Sequence, residues 1–186
     1  MNQARVILSA ADCLITPLAV SDAPLIVDYQ RRNKSHLAPW EPSRSQQYYE
    51  LATWQAVLKN NQQLWQQGSA FHFAALDQTS AKMIASINFT GVIRGVFQAC
   101  YLGYSIDRRY QGQGKMQQLC QACIDYIFEQ QNLHRIMAAH MLHNERSERL
   151  LTRLGFEYEG LAKDYLKIAG QWQDHKLYAL RNLQHS

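Results

Sequence analysis

The segment Ser105-Ile106-Asp107-Arg108-Arg109-Tyr110-Gln111-Gly112-Gln113-Gly114-Lys115 joins a run of apolar residues to a helical pattern, with two glycines at the junction. The first N–H groups of a helix lack intrahelical partners and lie at the positive end of its dipole, which suits phosphate oxygens. Glycine removes the Cβ that would hold those oxygens away from the main chain. A glycine-rich turn serves chain geometry as readily as ligand binding, so its neighbours decide the ligand. A dinucleotide-binding fingerprint needs a third glycine where Gln117 stands. A Walker A loop needs glycine at Arg109 and Ser or Thr at Met116, so both readings fail. Cys120 and Cys123 share the apolar stripe of the helix and no second cysteine pair follows, which predicts buried thiols and no metal. Ser147 lies three, four and seven residues before Leu150, Leu151 and Leu154, so its hydroxyl is expected to face inward.

Positioning the glycine loop requires a strand before it and a helix behind it. Gln98 to Ile106, Phe71 to Leu76 and Lys82 to Thr90 carry aromatic and branched residues separated by turn formers, predicting three antiparallel strands. Met116, Leu119, Cys120, Cys123, Ile124, Ile127 and Phe128 fall on one stripe, predicting a helix from Gln113 to Gln130. Upstream, Cys13 to Leu18 predicts a strand, and Ser21 or Asp22 an N-cap for a helix through His36 with Pro24 in its first turn. Ala38-Pro39-Trp40-Glu41-Pro42 must be extended or turned, because proline disfavours a helical residue before it. A Gln-rich helix follows over 46–67 and ends at Gly68. A strand from His134 to Leu142, a helix from Glu145 to Leu154 and a last pair of strands complete an α+β order without repeated βαβ units.

The chain has 186 residues, 47% hydrophobic and 18% charged, and no linker or repeat divides it. A single domain over 1–186 is expected, with its core at 13–181. No run approaches the ~20 apolar residues of a membrane helix, and the start Met1-Asn2-Gln3-Ala4-Arg5 lacks a signal-peptide core, so a cytoplasmic protein without a membrane partner is expected. A net charge of +4 permits an anionic cofactor or contact with a ribosome or pre-ribosome particle. It is far below that of a dedicated nucleic-acid binder, so sequence-specific DNA binding is not expected. Four irregularly spaced cysteines predict reduced thiols.

Arg109-Tyr110-Gln111-Gly112-Gln113-Gly114 resembles the acyl-CoA pyrophosphate loop of the GNAT N-acetyltransferase superfamily, [QR]-x-x-G-x-[GA]. Roughly thirty residues on, Asn144-Glu145-Arg146-Ser147 opens a helix ending in Leu154-Gly155-Phe156, similar to the second signature of that superfamily. From about Thr16 to Leu180 the chain resembles the RimJ/RimL branch, which acetylates N-termini of ribosomal proteins. The likeness is carried by Leu102-Gly103-Tyr104-Ser105-Ile106, His134-Arg135-Ile136-Met137-Ala138, Lys163-Asp164-Tyr165-Leu166, Gly170-Gln171-Trp172-Gln173-Asp174-His175 and the loop Trp40-Glu41-Pro42. The resemblance implies a mostly antiparallel, mixed and twisted sheet of six to seven strands flanked by helices, with a splayed parallel strand pair at the acyl-CoA site. It implies acetyl transfer from acetyl-CoA, without metal, to the N-terminal alanine of the fifth small-subunit ribosomal protein.

The same resemblance implies that the main chain of Tyr104, Ser105 and Ile106 pairs with the pantetheine arm, and that an N–H near Ile106 polarises the thioester carbonyl. Amides of Gln111, Gly112, Gln113, Gly114, Lys115 and Met116 would hold the pyrophosphate, with Arg108 or Arg109 reaching a phosphate or lying solvated. Asn144 would cap its helix and contact pantetheine. Ser147 is the candidate donor to the leaving thiolate, or else bonds back to the preceding turn. The tyrosine that often serves as acid is replaced by Leu151, leaving Ser147, Tyr104 or water. Glu41, Asp164 and Asp174 are candidate bases by type, and His140 and His143 offer imidazoles. Trp40, Tyr48, Tyr104, Tyr165 and Trp172 are candidates to line a peptide groove, though rings also fill cores. Two other readings stay open: the same fold acting on a small amine, and a ribosome-assembly or regulatory binding protein.

Overall fold

Pro24 near the start and Asn33 past the end bound the first long helix, α1 (Ala23–Arg32), in the computed structural model, which describes residues 6–184. The helix expected to run through His36 is broken at Asn33 (φ −106°, ψ 8°), and one further turn, α2 (Lys34–Leu37), follows. Asn33 is fully buried, and its side chain donates to the Asp107 carboxylate at 3.3 Å and accepts from Arg108 N at 3.1 Å, a tertiary use that overrides helical continuity. Pro39 then closes a 3-10 turn (Ala38–Trp40), and Glu41 is extended. The Gln-rich segment also divides: a 3-10 turn (Gln46–Tyr49) and an extended Glu50 precede α3 (Leu51–Gln66).

The strands are β1 (Leu8–Ala10), β2 (Cys13–Thr16), β3 (Phe71–Asp77), β4 (Met83–Ile93), β5 (Ala99–Ile106), β6 (Arg135–Met141), β7 (Glu157–Ile168) and β8 (Gln171–Arg181). They form an eight-stranded sheet in the order β1-β2-β3-β4-β5-β6-β8-β7. The expected count of six to seven is one short, because a tight hairpin adds β1: Ala11 and Asp12 both take left-handed φ, as a two-residue hairpin turn demands. Helices α4 (Lys115–Gln131) and α5 (Glu145–Arg153) lie where the periodicity predicted them. The start at 1–5 lies outside the described residues. Among the described residues no helix is long and apolar enough to cross a membrane.

Both sheet faces are covered. The α4 stripe packs Leu119, Ile124 and Ile127 onto strand residues including Phe73, Ile87 and Leu102, and burying each such side chain contributes about 1.5–3 kcal/mol. The opposite face holds Tyr29 and Val27 of α1 with Trp54 and Leu58 of α3.

Among the described residues only β5 and β6 run parallel, and they pair at Ala99 with Arg135, Cys100 with Ile136 and Tyr101 with Met137. Asp107 N donates to Ile84 O on the β4 side at 2.7 Å, whereas Arg135 N of β6 donates to Gln98 O at 3.1 Å. Backbone groups alternate sides along a strand. Tyr104 and Ile106 therefore aim their N–H and C=O groups toward β6 beyond the Tyr101–Met137 pair, where the ladder stops. The result is a notch in which, among the described residues, the N–H groups of Tyr104 and Ile106 have no partner strand.

Candidate active site

The notch opens into a cleft of about 410 Å³ lined by Tyr104, Ser105 and Ile106, by Gly112, Gly114 and Met116, and by Asn144 and Ser147. Its floor is the N-terminus of α4, which no side chain caps. Gly112 and Gly114 take φ of +74° and +73°, and a Cβ at either would meet nothing within 4 Å. Their absent side chains leave room for a ligand, not for a neighbouring part of the protein. An open helix N-terminus and a strand edge without a partner strand fit the pyrophosphate and the amide-bearing arm of CoA, respectively.

Asp107 fixes the loop between them. Its carboxylate is 2% exposed, pairs with Arg32 of α1, and accepts from the Arg109 backbone and side chain at 3.0–3.1 Å. Asn33 donates to the same carboxylate at 3.3 Å and accepts from Arg108 N at 3.1 Å. Burial alone would raise the Asp107 pKa, but the hydrogen bonds from Arg109 and Asn33 and the Arg32 charge outweigh it and hold the carboxyl well below the usual range. Arg109, a candidate for phosphate contact, thus spends its guanidinium on Asp107. Lys115 turns its ammonium to the Ala11 carbonyl at 2.7 Å, so its contribution to the cleft is its amide.

The hydroxyls of Tyr104 on β5 and Ser147 on α5 meet at 2.5 Å. Asn144 caps α5, its Oδ1 accepting from Ser147 N at 3.2 Å. Leu151, at the superfamily's tyrosine position, is fully buried in the core. Burial pushes the Tyr104 phenol up despite its bond to Ser147, so the pair stays protonated through the neutral range. His36 of α2 also enters the cleft: its ring bonds the Ile106 backbone and lies 3.0 Å from Gln111 Nε2. Burial, with Arg108 and Arg146 nearby, lowers its pKa despite that backbone bond, so the imidazole is neutral at pH 7.

A second cavity, about 1510 Å³, is lined by α1 and α3 residues on the other face of the sheet and, at its far end, by Phe71, Phe73 and Tyr126 of the α4-side core. Glu41 and Ser105 line both cavities, at the end of β5. Glu41 lies 3.4 Å from the Arg44 guanidinium, and its carbonyl accepts from Ala169 N at 3.0 Å, tying its loop to the β7–β8 turn. Trp40 packs on His143, ring centroids 5.4 Å apart, across the mouth of the notch. The other candidates lie apart. Tyr165 packs against His175 on the β7–β8 hairpin, Trp172 is exposed, and Asp174 is held by Lys163 at 2.6 Å and by Asp164 N at 3.0 Å. None of these three lines either cavity. His140 is buried with Nδ1 2.9 Å from the Met141 carbonyl, and also lies outside both linings.

Sequence reasoning missed Asp107, Asn33 and His36, whose roles depend on contacts across more than seventy residues. It also missed Arg146, Arg149 and Arg153, which line the cleft. Their spacing of three and four residues marks one helix face beside the Ser147 stripe, a signal that was there to be read.

The model of the acetyltransferase (GNAT) domain matches residues 13–157. The [ribosomal protein uS5]-alanine N-acetyltransferase of Escherichia coli K12 is 49% identical over 159 residues, covering 86% of this chain and 82% of that protein. The ribosomal-protein-S5-alanine acetyltransferase of Vibrio fischeri superposes with a TM-score of 0.94 at 39% identity, over 97% of this chain and 99% of that one. Mycobacterium smegmatis RimJ, solved in complex with CoA-disulfide, shares the fold at 24% identity, with a TM-score of 0.86 over 98% of this chain and 90% of that one. With the splayed parallel pair and the open helix N-terminus where that fold has them, the chain belongs to the GNAT acetyltransferase family.

Proposed function

We propose that this protein transfers the acetyl group of acetyl-CoA to the N-terminal alanine of ribosomal protein uS5. The observation that carries the reading is that two cavities on opposite faces share Glu41 and Ser105 in their linings. One has the strand edge and helix terminus that suit a CoA thioester, and the other reaches the same point from the opposite face. An amine and a thioester entering from opposite sides meet without a covalent enzyme intermediate. The 49% identical relative bears that activity in its name. A ribosomal acceptor puts the reaction in the cytoplasm, where ribosomes are assembled.

Acetyl-CoA supplies an activated acyl carbon and a thiolate leaving group. The unpaired N–H of Ile106 lies where it can donate to the carbonyl oxygen as charge develops there. Glu41 draws the cationic acceptor terminus to the junction and takes up, through water, the proton it sheds on attack. An α-amino group has an unperturbed pKa of about 7.7–8.0, so no strong base is needed. As the C–N bond forms and the C–S bond breaks, the thiolate takes a proton from Ser147, Tyr104 restores it to Ser147 and regains its own from water, and the proton taken up at Glu41 is released to solvent. Arg146, Arg149 and Arg153 add positive charge to the side of the cleft that takes the phosphates.

A comparison of acceptors tests this. An alanine-starting uS5 peptide is expected to be acetylated with kcat/KM far above that of free alanine, spermidine or an aminoglycoside. Turnover of a small amine with none of the peptide would move the assignment to small-amine acetylation. Salt-sensitive ribosome binding with no turnover of any acceptor would favour a binding role.

A further inference from the structure

We propose that the polar canyon between α3 and the β3–β4–β5 face holds the acceptor's extended backbone beyond its reacting residue, and so sets how much of the N-terminus is read. This rests on the N-terminal acetyltransferase reading above. The canyon floor is polar where a sheet face under a helix is ordinarily apolar. His72 and Asn88 stand opposite each other in register, with Nδ1 and Oδ1 3.0 Å apart, and Asn88 Nδ2 donates to Ser86 Oγ at 3.1 Å. The α3 wall adds Asn61 and Gln62. Glu41 and Arg44 are the only Asp, Glu, Lys or Arg residues in the lining, and both sit at the catalytic end. Neutral amides offering donors and acceptors together match a peptide main chain, and would serve a phosphate poorly. From Trp54 to Gln62 the wall rises about 12 Å, enough for about four extended residues.

A second observation points to the same occupant. Gly103, the residue of β5 opposite Asn88 and two before Ser105, has ordinary strand φ and is exposed, and a Cβ there would meet nothing within 4 Å. Glycine weakens a strand interior, and neither a turn nor packing inside the protein accounts for it here. Gly103 lies outside the cavity's own lining, on the strand face it shares with Asn88 and Ser105, and a bare position there lets a ligand backbone lie close over the sheet.

The test compares kcat/KM for an octapeptide of the uS5 N-terminus with that for alaninamide, in wild type and in three variants. Valine is a better strand former than glycine and alanine a better helix former than glutamine, so Gly103→Val and Gln62→Ala keep the fold. His72→Ala tests the floor. In wild type the octapeptide is expected to be favoured by about thirtyfold, from several modest hydrogen bonds acting together. Gly103→Val should cut that ratio about tenfold and His72→Ala or Gln62→Ala about threefold to fivefold, with the acetyl-CoA dissociation constant unchanged. A wild type that uses both acceptors alike, or a Gly103→Val variant that keeps the full ratio, overturns the proposal. A wild type that binds acetyl-CoA but acetylates neither overturns the functional reading, and this inference with it.

Discussion

The Tyr104 hydroxyl lies 2.5 Å from Ser147 Oγ, joining the end of β5 to the first turn of α5 across the mouth of the notch. The chain has Leu151 where its superfamily often has a tyrosine acting as acid, and in the proposed mechanism the phenol comes from Tyr104 on the opposite wall. If the two hydroxyls act as one donor, Ser147→Ala and Tyr104→Phe should each lower kcat about a hundredfold. Their combination should cost little more than the worse single change, since groups acting as a unit are non-additive. Steady-state kinetics on the two single variants and the double variant read this directly, and additive losses would contradict it.

The pH profile follows from the same groups. Burial raises the Tyr104 pKa, so the donor keeps its proton throughout the assay range, and His36, lowered by burial, is already neutral. The nucleophile is the acceptor amine, with its unperturbed pKa of about 7.7–8.0, and it reacts only as the free base. kcat/KM is expected to rise with pH through that region and then stay level to about pH 9.5. A descending limb between pH 8 and 9.5 that vanishes in Tyr104→Phe would contradict this assignment.

Asp107 predicts a stability effect with a definite sign. Its folded pKa lies below the ordinary 3.8, so its contribution is fully present above that value and is lost as pH falls through the lowered one. Asp107→Asn should cost about 3 kcal/mol at pH 7, because Arg32 and Arg109 lose a buried counter-charge. The variant should also lack that part of the acid-side decline. Urea denaturation of both proteins at pH 7 and pH 3 measures the two effects, and parallel curves at the two pH values would refute the account.

Gly114→Ala tests the cradle. Left-handed φ costs a non-glycine residue about 1–2 kcal/mol, and the added methyl occupies space open to the ligand. CoA affinity measured calorimetrically should fall at least about tenfold. Affinity for pantetheine, which lacks the pyrophosphate, should fall much less. Equal losses for both ligands would remove the pyrophosphate from the Gly112–Gly114 turn.

What could be read from the sequence divides along physical lines. The α4 stripe and the β3 to β5 alternation are local periodicities imposed by burial, and they survive intact in the structure. Ser147 was placed inward by the same rule. The break at Asn33 was not legible, because the competing interaction is with Asp107, far along the chain. Arg109 was assigned to phosphate for its charge, while the carboxylate that engages it is defined by burial, which no spacing encodes. β1 was missed because a three-residue strand has too few positions to show alternation. Glu41 and Asp174 were equal by type, and only the folded chain separates them: one stands between two cavities, the other is bound to Lys163 on a hairpin.

The most direct test of the central claim is intact-protein mass spectrometry of the small-subunit ribosomal proteins, prepared without prior N-terminal acetylation and incubated with the enzyme with and without acetyl-CoA. The account predicts one added acetyl group, on uS5 alone, at its N-terminal alanine, and only with acetyl-CoA present. An unmodified uS5, with acetyl-CoA bound and another ribosomal protein or a small amine acetylated in its place, would contradict it.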